Sequence, residues 1–161
     1  MNTENIQELI LNAQNDPSLL STIDVDALLD SIETKNNDYL TNKTISEIHN
    51  DKYNAFKNLG IDDENLKLLC EKLTEYRFVD EIYELHKGKH VRYMNISNAR
   101  QNPKLTTGGI VVDVKFLDNG TQVLCMNNQR RFIQYKYDFY LTFQKLSPEE
   151  QLILMIYEEV N

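Results

Sequence analysis

From Gly88 to Leu146 apolar and polar residues alternate along the chain, and on either side of that stretch apolar residues recur at spacings of three and four. A period of two marks strands that bury one face; a period near 3.6 marks helices that bury one stripe. Ile110, Val112, Val114 and Phe116 alternate with Val111, Asp113 and Lys115, which predicts a strand with the first set inward. Asp118-Asn119-Gly120 supplies residues that tolerate positive φ, so Thr121–Met126 reads as the returning arm of a hairpin. After a second reversal at Asn127-Asn128-Gln129, Ile133, Tyr135 and Tyr137 alternate inward, followed by Phe139, Leu141 and Phe143. With His90–Ile96 these make about five short, evenly spaced strands, the dimensions of a small antiparallel barrel. Gly108-Gly109, just ahead of the strongest strand, predicts a bulge or a close approach of backbones.

The flanks read as helices. Thr3 caps a helix that Asp16-Pro17 stops, and Val25, Leu28, Leu29 and Ile32 mark a second. Lys35–Lys43, with Asn36-Asn37-Asp38, reads as a linker. Thr44 and Glu47 have capping-box spacing for a helix that ends at Gly60, and Asp62 opens another with Leu66, Leu69, Cys70, Leu73 and Tyr76 as its stripe. Phe78, Val79, Ile82 and Leu85 favour a short helix, with a strand as the alternative. Ser147-Pro148-Glu149-Glu150 starts a last helix. Its run from Leu152 to Tyr157 leaves no polar face in that turn, so it is either buried or offered to a partner. The predicted organisation is α+β: N-terminal amphipathic helices over 1–34, a linker over 35–43, a helical region over 44–87, a basic barrel over 88–146, and a C-terminal helix over 147–161 that packs on the barrel or on a partner.

Charge sharpens this division. Residues 1–85 carry seven Lys+Arg against eighteen Asp+Glu, residues 86–146 ten against three, and the tail four Glu and no base, within a net charge of −8. A basic surface of this kind either attracts acidic partners through its field or is neutralised by the acidic helices beside it, and both readings stay open. With 161 residues and 41% apolar content the chain can build a core. No apolar run is long enough to span a bilayer, and the N-terminus lacks a secretory or transit pattern, so membrane insertion is not expected and the protein is expected to be intracellular. Cys70 and Cys125 stand far apart, without the close spacing of a disulfide framework, and are expected to be buried thiols.

No catalytic constellation emerges. His86 and His90 lie four apart, but Gly88 between them breaks the helix a shared metal would need, and no Cys or carboxylate cluster completes a set. There is no Gly-x-Ser-x-Gly elbow, and Gly88-Lys89 lacks the preceding glycine and following hydroxyl residue of a phosphate loop. The chain is expected not to be an enzyme and to need no metal or cofactor.

Binding is the remaining class. Alternation places Arg92 and Lys115 outward, gathers Arg130, Phe132, Gln134 and Lys136 on one outer face, and turns Tyr140 outward on the next strand. Bases interleaved with aromatic rings on a sheet are the ingredients of a single-strand nucleic-acid platform. Leu152, Met155 and Ile156 of the last helix offer an apolar surface for a protein partner or for self-association. A protein-interaction or structural role is the preferred expectation, and a nucleic-acid-binding module the alternative.

Gly88-Lys89-His90-Val91-Arg92-Tyr93, Gly108-Gly109-Ile110-Val111-Val112-Asp113-Val114 and Phe139-Tyr140-Leu141-Thr142-Phe143 together resemble the SH3-like small barrels in proteins of nucleocytoplasmic large DNA viruses. The resemblance spans residues 88–146 and carries over no functional residues. It implies an SH3-like barrel, an assembly or packaging role, and a place in the virion or host cytoplasm. The absence of Trp speaks against a proline-peptide groove.

Overall fold

The computed structural model describes residues 43–160; the helices expected near the N-terminus and all of the linker but Lys43 lie outside them. The described residues divide into two compact units, one running from His49 to Lys145, the other combining residues 43–48 with residues 146–160.

Helix α1 (Ile45–Lys57) starts where Thr44 Oγ1 accepts the Glu47 amide at 3.2 Å, and the chain leaves it at Gly60, whose φ of +76° suits glycine. Helix α2 (Asp63–Lys72) turns Leu66 and Leu69 inward. The expected helix up to Leu85 is not there. Tyr76–Phe78 forms a short strand, β1, and Ile82–Glu84 a single 3₁₀ turn. Phe78, Val79, Ile82 and Leu85 fall at helical spacing, but β1 gains a full partner from the far end of the unit, pairing Tyr76 with Lys145 and Phe78 with Phe143. Ladder bonds to a distant strand outweigh a weak local helix preference.

Strands β2 (His90–Asn95), β3 (Gly109–Leu117), β4 (Gly120–Met126), β5 (Phe132–Lys136) and β6 (Tyr140–Lys145) follow, with a 3₁₀ turn at Tyr137–Phe139. All pairings are antiparallel, in the order β1-β6-β2-β3-β4-β5. The sheet is not closed into a barrel, contrary to expectation. β6 is hydrogen-bonded on both sides, to β1 and to β2, so no free edge remains on it for β5 to close against. The sheet curls instead, and its last strand reaches back to β6 through side chains: the Tyr135 hydroxyl of β5 lies 2.9 Å from Thr142 Oγ1 of β6.

The curled sheet of the His49–Lys145 unit has a core on each face. On one, α1 and α2 bring Phe56, Leu66, Leu69 and Leu73 against Met94 and Phe143, with the Phe56 and Phe143 rings stacked at 5.1 Å. On the other, Val91, Tyr93, Val111, Val123, Cys125 and Tyr135 pack together with Val79 and Leu85. Arg77, 2% exposed, reaches from β1 to the Glu84 carboxylate at 3.2 Å and to the Glu84 carbonyl. Both expected thiols are free, Cys125 buried and Cys70 partly so.

The glycine pair does bring backbones close. A Cβ on Gly108 would stand 1.7 Å from the Val91 carbonyl oxygen, and one on Gly109 2.5 Å from that of Met126. Strand β3 departs from the expected phase. Val111 pairs with Cys125 but Asp113 with Leu124, so Val112 is the extra residue of a β-bulge. Before the bulge the odd residue Val111 is buried and Ile110 is 42% exposed; after it the even residue Val114 turns to the core. Phe116 lies near the hairpin tip and is 71% exposed.

In the other unit, helix α3 (Pro148–Val160) opens on a complete capping box: the Glu150 amide donates to Ser147 Oγ and the Ser147 amide to Glu150 Oε1, both at 3.1 Å. Near its end Glu158 accepts the Ile45 amide at 2.7 Å and the Ser46 hydroxyl at 3.1 Å, placing a carboxylate where α1 exposes unpaired N–H groups.

Candidate interaction face

Residues opposed across antiparallel strands share a face, so the register assembles the surface directly. Ile110 opposes Met126, which opposes Phe132, giving an apolar row across β3, β4 and β5. Bulged Val112 and the Asp113–Leu124–Gln134 row come next, then Lys115, Gln122 and Lys136. Phe132 is 65% exposed, and Ile110 and Val112 are also open to solvent. Helices α1 and α2 cover the same face at β6 and β2 but leave it open here. Asp113, the acid of this face, is held below the usual carboxylate range, first by Lys87 at 3.2 Å and then by the Val114 amide. That leaves Lys115 and Lys136 at one end of the apolar rows, and exposed Arg130 and Arg131 beside Phe132 at the other.

Of the nine residues singled out from sequence, the structure gathers four here: Lys115, Arg130, Phe132 and Lys136. Arg130 sits in the β4–β5 turn at φ +60°. Arg92 lies on the helix-covered part, its guanidinium donating to the carbonyls of Thr106 at 2.9 Å and Lys72 at 3.4 Å. Tyr140 does not turn outward. It packs edge-on against Tyr93 and Tyr135, whose rings stack at 4.1 Å, because its even parity on β6 matches that of Thr142 on the inner core. Leu152 and Ile156 are buried in this chain, and Met155 is 36% exposed. Ile110, Val112, Leu124 and Met126 were missed, since phasing β3 as one regular strand sends the first two inward.

A cleft of about 500 Å³ runs along the free side of β5, between Gln134–Lys136, the Asp138–Tyr140 segment and Asn95–Ser97. Its wall is aromatic, with Lys136 Nζ 5.8 Å from the centre of the Phe139 ring. Asn95 Oδ1 is occupied by the Ser97 amide and hydroxyl. On the core side of β5 and β4, burial raises the Tyr135 phenol above its ordinary value and pushes the Cys125 thiol up to about 11, so both keep their protons at neutral pH.

His90 extends the apolar row beyond Ile110, its register partner, and its Nδ1 meets the Tyr76 hydroxyl at 2.9 Å. Burial, then Lys145 and Arg92, lower its pKa below 6.5. A folded pKa below the unfolded one means that the unfolded chain takes up the proton first. The contribution to stability is therefore full above pH 6.5 and lost as pH falls through the folded value. Urea midpoints between pH 7.5 and 5 are expected to fall more steeply for the native chain than for His90→Gln; parallel slopes would refute the assignment.

Among the described residues no three His, Cys, Asp or Glu side chains group to hold a metal ion, and no helix is long and apolar enough to cross a membrane. Fold and face together define an α+β sheet domain with one half-open face that is apolar at its centre and basic at both ends. No protein-family model, curated protein or solved structure matches the chain.

Proposed function

We propose that this chain is a protein-interaction or structural protein, not an enzyme, and that it engages its partner through the open face of β3–β5. The observation that carries this reading is the Ile110–Met126–Phe132 row, exposed at Ile110 and Phe132 and half-buried at Met126. An apolar patch framed by bases suits a partner with an apolar centre and acidic rim, where the rings and aliphatic groups supply affinity and the charges steer approach. The strand order β6-β2-β3-β4-β5 and the 3₁₀ turn before β6 support an SH3-like arrangement left open at one seam, and with it the assembly role in a large DNA virus.

Site-specific photocross-linking tests the face. A photoreactive phenylalanine analogue at Ile110 or Phe132 is expected to capture discrete protein partners in cells expressing the chain. The same group at Tyr83, 73% exposed but on the Ile82–Glu84 turn, is expected not to. Equal capture at all three positions would remove the argument. The nucleic-acid reading rests on Lys115, Lys136, Arg130 and Arg131 flanking Phe132, and predicts single-strand binding that weakens steeply with salt, unlike an apolar protein contact.

A further inference from the structure

Among the described residues strand β5 ends the sheet, and its open edge has a defined chemistry. The Asn127 amide donates to the Arg131 carbonyl at 2.9 Å, which makes that opposed pair a hydrogen-bonded one in the β4–β5 register. Bonded and non-bonded pairs alternate along antiparallel strands. Ile133 and Tyr135 therefore spend their backbone groups on β4, whereas the N–H groups of Phe132, Gln134 and Lys136 point away from it, toward the side where the cleft lies.

We infer that this edge pairs with a second copy of itself, β5 to β5 about a two-fold axis at Gln134. The inference deepens the proposed interaction role and rests on it. Antiparallel pairing centred on Gln134 sets Phe132 opposite Lys136 of the other copy, Ile133 opposite Tyr135, and Gln134 opposite itself. In that register the outward backbone groups form the bonded pairs that an added strand requires. The side chains complement each other as well. Each Lys136 ammonium meets a Phe132 ring, as it already meets Phe139 within the chain. Continuing the register by two residues brings Arg130 alongside Asp138, opposite charges at both ends of the ladder. An edge carrying Arg130, Arg131 and Lys136 would repel a basic strand, yet this register opposes no two of those bases. Each Ile110–Met126–Phe132 row would then continue across the seam into the Lys136–Gln122–Lys115 row of the other copy.

Sedimentation velocity from low to several hundred micromolar is expected to show the native chain passing from monomer to dimer. Gln134→Pro is the diagnostic variant. Its missing N–H is the one that points away from β4, so the fold and its unfolding midpoint are expected to persist while the dimer is lost. In a Cys70→Ser background with a copper–phenanthroline oxidant, Gln134→Cys is expected to form a disulfide-linked dimer, each thiol losing a proton and an electron to the oxidant. The opposed Cα atoms would lie about 5.5 Å apart, within disulfide reach. Lys136→Cys, which faces Phe132, is expected not to link. A native chain that stays monomeric throughout, a Gln134→Pro protein that dimerises like the native one, or equal linking at both cysteine positions would each overturn the inference. A monomeric chain that still captures partners at Phe132 would leave the interaction role standing, and a dimer that captures none would do the reverse.

Discussion

Gly108→Ala is expected to be the most damaging single methyl that can be added to the sheet. Its Cβ would lie 1.7 Å from the Val91 carbonyl oxygen and 2.8 Å from the carbonyl carbon, both rigid backbone, at a φ of +71° that side-chain-bearing residues seldom adopt. Val91 is fully buried on β2, so relief requires β2 and β3 to separate across the inner core. Strain at the positive φ together with lost ladder bonds and packing is expected to exceed ~4 kcal/mol, a large part of the 5–15 kcal/mol that typically holds a domain together. Gly88→Ala is the matched control: its φ is +86°, but nothing lies within 4 Å of the added carbon. There only the backbone term applies, about 1–2 kcal/mol. Urea denaturation should show Gly88→Ala with a modestly lowered midpoint and Gly108→Ala without a cooperative transition. Similar midpoints would contradict the close approach.

The second large effect is expected at Glu84. Removing its carboxylate in Glu84→Ala takes from the Arg77 guanidinium, 2% exposed, the oxygen that lies 3.2 Å away, and deprives the Glu81 amide of an acceptor at 2.9 Å. Removing one member of a buried pair costs about 3–5 kcal/mol, because the remaining charge keeps its desolvation penalty and loses the compensation that partner gave. Replacing both, Arg77→Met with Glu84→Leu, is expected to recover part of that loss. A double-mutant cycle on urea midpoints measures the coupling, and additive losses would show that the pair is not energetically linked.

What could be read from sequence was whatever is decided within a few residues. The ends of α1 and α3 were legible because Thr44, Gly60 and the Ser147–Glu150 box act locally, and the β3–β4 hairpin because Asn119-Gly120 sets its own turn. What escaped depends on partners far along the chain. β1 is a strand only because residues 143–145 pair with it, and that same pairing removes the edge on which a barrel would close. The bulge at Val112 changes no composition, yet it shifts the phase of β3 and moves Ile110 and Val112 to the open face. The bases of the site and Phe132 therefore showed in the sequence, and the rest of its apolar row did not.

The position of β6 bears on how the protein is made. Lying between β1 and β2, it sends Phe143 into one core and Thr142 toward the other, yet it is the last strand to leave the ribosome. Until Lys145 emerges, β1 and β2 each lack a neighbour, so neither core can be completed during synthesis. A message truncated before the codons of β6 would therefore yield a chain in which β1 and β2 both keep an open edge, a substrate for chaperones and proteases.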